Sequence, residues 1–102
     1  MLTTNNSVLP VKTSKFQLLN HTITVKEFPI APDAGEYGIA DYPKNEIRLY
    51  TDGVCESVIE HTFYHELVHF LLHYAGRDDL SEDETLVDTI GGLLAQYEQT
   101  KR

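Results

Sequence analysis

The most constraining feature of this sequence is an apolar stripe that predicts a long α-helix over residues 57–75. At about 100° of rotation per residue, six large side chains fall on one helix face over about four turns. They are Ile59, Phe63, Leu67, Phe70, Leu71 and Tyr74. Gly76 is suited to end this helix. A second pattern around Leu86, Ile90, Leu93 and Tyr97 predicts another helix from about 82 to 98.

Ahead of the helices, short runs of alternating apolar and polar residues predict two β-hairpins. The first pairs residues 16–19 with 22–28 around a turn at Asn20-His21, and the second pairs 37–42 with 46–50. The prolines and glycine of 29–35 predict a loop, as do the polar residues of 77–83. Strands followed by helices indicate an α+β domain, with a small antiparallel or mixed sheet packed on the first helix and a C-terminal second helix.

Length and composition narrow the class of protein. A chain of 102 residues is expected to form one domain, residues 1–102. The first 14 residues lack the apolar core of a signal peptide and are expected to be a poorly ordered segment, which favours a cytoplasmic protein. The single cysteine fits a reducing compartment. No run of 18 apolar residues exists, so we expect no membrane partner.

The net charge of -8 lies entirely in the second half of the chain. Residues 1–51 carry five acidic and five basic side chains, whereas 52–102 carry eleven acidic and three basic ones. An acidic half of this kind repels phosphate backbones, so nucleic acid is not expected as a direct partner. A cation or a basic polypeptide would suit it better.

The candidate chemistry lies in the sequence His65-Glu66-Leu67-Val68-His69, an HExxH motif within the first predicted helix. A spacing of four residues puts His65 and His69 one above the other, on the face opposite the apolar stripe. Two imidazoles so arranged can reach one zinc ion at about 2.0–2.1 Å. Glu66 projects beside the ion, where it can act as general base toward a water molecule that the ion activates.

A third ligand is expected from the second helix. His73 lies four residues after His69 and so continues the four-residue spacing. It is eight residues from His65, however, and about 12 Å along the helix axis is too far for the two rings to share an ion. Glu84 is the preferred candidate, with Asp83 and Asp88 as alternatives. A competing interpretation makes Glu84 part of a capping box that begins at Ser81.

Asp88, one turn after Glu84, is expected to hydrogen-bond the other ring nitrogen of a ligand histidine. Gly91 and Ala95 follow on the same helix stripe. Their small side chains would let the second helix pass close to the first.

The segment from Tyr37 to Gln99 resembles the minimal core of the ImmA/IrrE-type zinc metallopeptidases. That core consists of a hairpin and a strand followed by an HExxH helix and a second helix, and it is similar in SprT-like proteases. The second-helix sequence that begins Glu84-Thr85-Leu86-Val87-Asp88 follows their pattern loosely. The resemblance implies a zinc endopeptidase with Glu84 as third ligand and one zinc ion as cofactor. It also implies a protein or peptide substrate, often an intracellular regulator in such relatives, that pairs with the strand Glu46–Tyr50.

Several alternatives stay open at this point. Tyr42, Tyr50, Tyr97 and His73 all have the right chemistry to stabilise an oxyanion, and the sequence does not separate them. Arg48 either contacts a substrate group or is a solvated arginine on an edge strand. The rival function is a catalytically silent zinc-binding module that docks a partner protein. A third and weaker hypothesis is that the protein binds no metal and that the histidines only form a polar helix face.

Overall fold

The structure is a computed structural model that describes residues 9–102. Within residues 9–102, four strands precede three helices. The elements are β1 (Lys12–Leu18), β2 (His21–Phe28), β3 (Gly38–Asp41), β4 (Glu46–Tyr50), α1 (Glu56–Tyr74), α2 (Asp78–Ser81) and α3 (Glu84–Thr100). The α+β prediction is confirmed. No helix within 9–102 has both the length and the apolar character needed to cross a bilayer.

The four strands form one mixed sheet in the order β1-β2-β4-β3. β1 and β2 are antiparallel, β2 and β4 are parallel, and β3 returns antiparallel to β4. The strand Glu46–Tyr50 therefore lies inside the sheet with a neighbour on each side. Our expectation that it is an edge strand free to pair with a substrate is wrong. On this side of the sheet the free edge belongs to β3.

The N-terminal hairpin differs in detail from its prediction. β1 begins at Lys12, so residues 12–14 pair with β2 although we expected them to be poorly ordered. Residues 1–8 lie outside the described part of the chain. The turn residues are Leu19 and Asn20, not Asn20 and His21, and both have positive φ. Positive φ at both turn positions matches the twist of a two-residue hairpin, which Leu18 and His21 close.

The core lies between the sheet and α1. Ile23, Ile47 and Phe70 are fully buried there, with Val25 and Leu49 beside them. Partly buried side chains of α1, among them Ile59 and Phe63, pack against this cluster as the apolar stripe predicts. Leu71, which we assigned to the stripe, is 40% exposed at its margin.

The other side of α1 is covered by α3, so α1 is the middle layer of the domain. The buried residues of α3 are small or medium, Val87, Gly91 and Ala95, whereas Leu93 and Tyr97 point outward and are each 62% exposed. The close approach expected from the small-residue stripe is therefore present, and the bulky stripe faces away from α1.

The segment between α1 and α3 is more ordered than a polar loop. It contains the single helical turn α2, and α3 begins at Glu84, two residues later than predicted. Ser81, the last residue of α2, is 6% exposed. Burial of a serine in a short connection indicates that its hydroxyl has partners within the protein.

On the sheet face away from α1, Arg48 bonds Glu46 at 2.6 Å and Asp41 at 3.1 Å. Lys26 approaches the same Glu46 carboxylate at 2.9 Å. Arg48 therefore belongs to an ion-pair network of the sheet. It is neither a substrate contact at the candidate site nor a solvated arginine on an edge.

Candidate metal centre

The two histidines of the HExxH motif lie on the α1 face that α3 covers. Their rings are 5.0 Å apart, one helical turn from each other. The side chains of His65 and His69 retain 21% and 12% of their exposure, so both are screened from solvent without being sealed off. A partly screened site of this kind strengthens electrostatic interactions and still leaves an entry path.

Glu84, in the first turn of α3, brings its carboxylate to both rings. Its Oε1 lies 3.0 Å from His65 Nε2, and its Oε2 lies 3.4 Å from His69 Nε2. One donor atom from each of the three residues falls within 4.8 Å of the others. Ligands about 2.0–2.1 Å from a tetrahedral zinc lie about 3.3 Å apart, so the two separations between the Glu84 carboxylate and the imidazoles fit a single ion.

The other ring nitrogens already have protein partners. His65 Nδ1 lies 3.0 Å from Oδ1 of Asp88, the residue predicted from the sequence for this contact. His69 Nδ1 lies 2.8 Å from the Ser81 hydroxyl. Because both Nδ1 atoms are occupied in this way, both Nε2 atoms are the ones left to bind an ion. The donor set therefore fits zinc chemically as well as geometrically.

The residue that caps α3 determines whether the Glu84 carboxylate is available to the two histidines. The N-cap is Asp83, whose carboxylate accepts a hydrogen bond of 3.1 Å from the Leu86 amide. The capping box beginning at Ser81 is therefore not formed. With Asp83 as the cap and Asp88 on the far nitrogen of His65, Glu84 is the acidic residue in the three-residue group.

Glu66 lies beside this group and is not part of it. The residue is 8% exposed, and it lines the cavities on both sides of the histidines. Burial raises the pKa of Glu66 to about 7; His65 opposes this shift and the negative charge of Glu84 adds to it. A carboxylate with a pKa near neutrality can both accept and return a proton.

Burial also acts on His69. It lowers the pKa of this imidazole below its ordinary value, while the carboxylate of Glu84 pulls in the opposite direction. The net effect favours the neutral ring, which is the form that binds a metal ion.

The remaining histidines of α1 have other contacts. His73 Nδ1 bonds Asp78 Oδ1 at 3.0 Å, and the ring stacks on Tyr42 at 4.2 Å. It lies in the cleft wall and outside the three-residue group, as the helix geometry predicts. His61 Nε2 lies 3.2 Å from Asp88 Oδ1.

The four candidates for oxyanion stabilisation separate in the structure. Tyr50 is buried at 7% exposure beside Phe28, and Tyr97 is exposed near the end of α3. Only Tyr42 lines the cavity that holds His65, Glu66, His69 and Glu84, with His73 stacked behind it. Burial raises the pKa of the Tyr42 hydroxyl, and nearby carboxylates add to that shift although Ser81 opposes it. Tyr42 therefore remains a hydrogen-bond donor at neutral pH.

The opposite wall of this cleft is β3. A cavity of about 380 Å³ runs between β3 and the three-residue group, and a neighbouring one of about 540 Å³ extends toward the start of α1. The Tyr50 amide donates to the Tyr37 carbonyl, so residues 37, 39 and 41 direct their backbone groups toward β4. The backbone groups of Gly38 and Ala40 consequently point away from the sheet, because pairing alternates along an antiparallel strand.

Two parts of this arrangement were missed from the sequence. Ser81 was interpreted only as a helix cap, and no local pattern links it to His69, twelve residues earlier. The β3 edge was missed because strand order is not encoded in the alternation of a single strand. A hairpin whose first strand is short and flanked by glycine gives at most a weak signal of such an edge.

Comparison of the chain with protein-family models, with curated proteins and with solved structures finds no match.

Proposed function

We propose that this protein is a zinc-dependent peptidase that hydrolyses peptide bonds of an intracellular protein. The observation that carries the proposal is the convergence of His65, His69 and Glu84 next to a buried carboxylate, Glu66, whose pKa is about 7. A structural zinc site is closed by four protein ligands and has no need of a separate proton-accepting group beside them, whereas here three ligands are joined by Glu66.

In this proposal His65 Nε2, His69 Nε2 and the Glu84 carboxylate would hold one zinc ion. When bound, the ion supplies Lewis acidity toward the peptide carbonyl and lowers the pKa of water to about 7. Glu66 accepts a proton from the attacking water on a carboxylate oxygen and later returns it to the leaving amine nitrogen. The Asp88 carboxylate accepts a hydrogen bond from the Nδ1–H of His65, and this bond keeps the Nε2 atom of the ring directed at the site.

The substrate in this proposal is an extended peptide lying along β3. The outward backbone groups of Gly38 and Ala40 pair with it and give affinity with little dependence on sequence. Side-chain preference comes from the cavity of about 540 Å³ next to His65, whose walls include Val58, Thr62 and Tyr37. This strand replaces Glu46–Tyr50 (β4), which is enclosed between β2 and β3.

The test is Glu66→Gln, which keeps the size and removes the base. We expect this variant to bind one equivalent of zinc as the parent does and to lose hydrolysis of a fluorogenic peptide selected by library screening. Glu56→Gln, an exposed change in the first turn of the same helix, is the matched control and should leave turnover intact. Unchanged turnover in Glu66→Gln would remove the assigned mechanism.

The silent binding module gives a different result in the same experiment. It predicts one tightly bound zinc, no peptide cleaved by the parent from any library, and unfolding when the metal is stripped. Metal analysis of the purified protein separates both functions from a chain that binds no zinc at all.

A further inference from the structure

A buried hydroxyl connects the candidate metal centre to the cleft wall. Ser81 Oγ lies 2.8 Å from His69 Nδ1 and 3.0 Å from the Tyr42 hydroxyl. The three residues come from three different elements, α2, α1 and the turn after β3. Ser81 is 6% exposed, so within the protein these two groups are its nearest polar neighbours and solvent contributes little.

The chemistry of histidine gives this chain of hydrogen bonds a direction. A neutral imidazole carries one proton, and a ring that binds a metal through Nε2 must carry it on Nδ1. His69 therefore donates to Ser81 Oγ. The serine hydroxyl then donates its own hydrogen to the Tyr42 oxygen, which leaves the hydrogen of Tyr42 free to be donated elsewhere.

The packing of the Tyr42 ring fixes the position from which its hydroxyl hydrogen is donated. One face of the ring stacks on His73 at 4.2 Å with the planes only 4° apart, and Phe70 meets it edge-on at 5.2 Å. His73 is fixed in turn by Asp78 on α2. Tyr42 also lines the cavity that contains Glu66 and Glu84, so its free donor is available to a ligand in that cavity.

We propose that His69 Nδ1, Ser81 Oγ and Tyr42 Oη form a hydroxyl relay, in which Ser81 orients His69 for metal binding and Tyr42 donates a hydrogen bond to the substrate carbonyl oxygen. Ser81 is a positioning residue, and Tyr42 is the residue that touches substrate. This inference rests on the proposed peptidase function and names two further residues of the same site.

The first arm of the test measures zinc affinity by competition with a chelator. Ser81→Ala should weaken zinc binding about 10- to 100-fold, the usual effect of removing a partner of a ligand histidine. Ser81→Thr keeps the hydroxyl and should restore most of that affinity. Asp79→Asn, an exposed change on the same short helix, is the matched control and should bind zinc as the parent does.

The second arm reads the His69 ring proton directly in the zinc-loaded protein, because in the metal-free protein the Glu84 carboxylate, 3.4 Å from His69 Nε2, competes for that proton. In ¹H–¹⁵N spectra of the parent, the His69 Nδ1 proton should be resolved and should exchange slowly with water, since it is donated to the buried Ser81 hydroxyl. Ser81→Ala should speed this exchange and shift the resonance upfield because the acceptor is gone, and Ser81→Thr should restore both. A residue that served only to hold α2 in place would leave the resonance unchanged, and a spectrum equal to that of the parent would overturn the relay.

The third arm uses Tyr42→Phe, which keeps the ring against His73 and removes the hydroxyl. Zinc affinity should stay within about threefold of the parent, while kcat falls about 10²- to 10³-fold with little change in KM, as for loss of one oxyanion donor. Unchanged kcat would exclude Tyr42 as the donor.

These arms separate the relay from the peptidase itself. If Glu66→Gln abolishes cleavage but Ser81→Ala and Tyr42→Phe behave as the parent, the relay is wrong and the peptidase stands. If the parent neither binds zinc nor cleaves peptides, the peptidase fails. The relay, which rests on zinc binding by His69, then fails with it. If the parent binds zinc but cleaves no peptide, the ring-proton measurement still decides the role of Ser81.

Discussion

Gly91 packs directly against the backbone of His65. A Cβ atom built on Gly91 would lie 2.9 Å from both the nitrogen and the Cα of His65, nearer than real Cβ contacts come. The crossing point of α3 and α1 is therefore at the first histidine of the motif. The position of Glu84 and Asp88 relative to that histidine depends on this single missing side chain.

We predict that Gly91→Ala destabilises the fold by about 1–3 kcal/mol and weakens zinc binding. Alanine in a helix is intrinsically favoured over glycine by about 1 kcal/mol, but a clash with backbone atoms cannot be relieved by a side-chain rotation. Urea unfolding and chelator competition measure the two effects. Gly92→Ala is the matched control, because its Cβ would meet only the ring of His61 at 3.4 Å. That change should be neutral or stabilising, and equal destabilisation by both would contradict the account.

Metal stoichiometry tests the three-residue group. The parent should bind one equivalent of zinc, and His65→Ala, His69→Ala and Glu84→Gln should each abolish tight binding, since each removes one of the three protein ligands. His21→Ala, on β2 and stacked on Tyr74, should keep the full equivalent. A loss of zinc in His73→Ala equal to that in His69→Ala would show that the ligand set is wrong.

The β3 edge can be tested by removing one outward donor. Ala40→Pro deletes an N–H that points away from β4, and proline is tolerated on a free strand edge. One peptide hydrogen bond contributes about 0.5–1.5 kcal/mol, so kcat/KM for the selected fluorogenic peptide should fall about 2- to 10-fold. Zinc affinity should not change, and this serves as the internal control. Unaltered kcat/KM with zinc still bound would rule out pairing at Ala40.

The ion-pair network on the far sheet face predicts a pH dependence of stability. Burial alone would raise the pKa of Glu46, but hydrogen bonds from Arg48 and Lys26 outweigh it and keep the pKa below its ordinary value of 4.5. A lowered folded pKa contributes stability that is present above pH 4.5 and is lost as the pH falls through the folded value.

Glu46→Gln should therefore lower the free energy of unfolding by about 1–3 kcal/mol at neutral pH. The difference from the parent should shrink in acid, as followed by urea unfolding at several pH values. Glu27→Gln is the control on the same sheet, because the Glu27 pair with Lys12 is long, at 3.9 Å, and the lysine side chain is 70% exposed. That change should cost about 0–1 kcal/mol. A gap between parent and Glu46→Gln that stays constant with pH would contradict the assignment.

The elements that the sequence predicted best are those set by nearby residues. The 3.6-residue period fixed α1 to within one residue at each end, and it put His65 and His69 on the face opposite the core. The small stripe of Gly91 and Ala95 correctly indicated the side of α3 that packs on α1. Each of these features depends on side chains within a few turns of one helix, so local periodicity was sufficient.

The predictions that failed concern features that depend on contacts between residues far apart in the sequence. Glu46–Tyr50 has an ordinary strand pattern, and only its pairing with β2 made it an interior strand. Ser81 and Asp83 both have the chemistry of an N-cap. In the structure Ser81 ends α2 and contacts His69, and Asp83 caps α3. In both cases the sequence offered two locally equivalent states.

By itself, then, the sequence determined an α+β chain with two histidines one helical turn apart and an acidic helix that follows them. The tertiary structure decided which carboxylate reaches those histidines, which hydroxyl holds the second ring, and which strand forms the wall of the cleft. The physical reason is that helix periodicity is set by backbone geometry repeated every few residues. Strand order, capping and contacts across the site depend instead on which distant surfaces bury one another most completely.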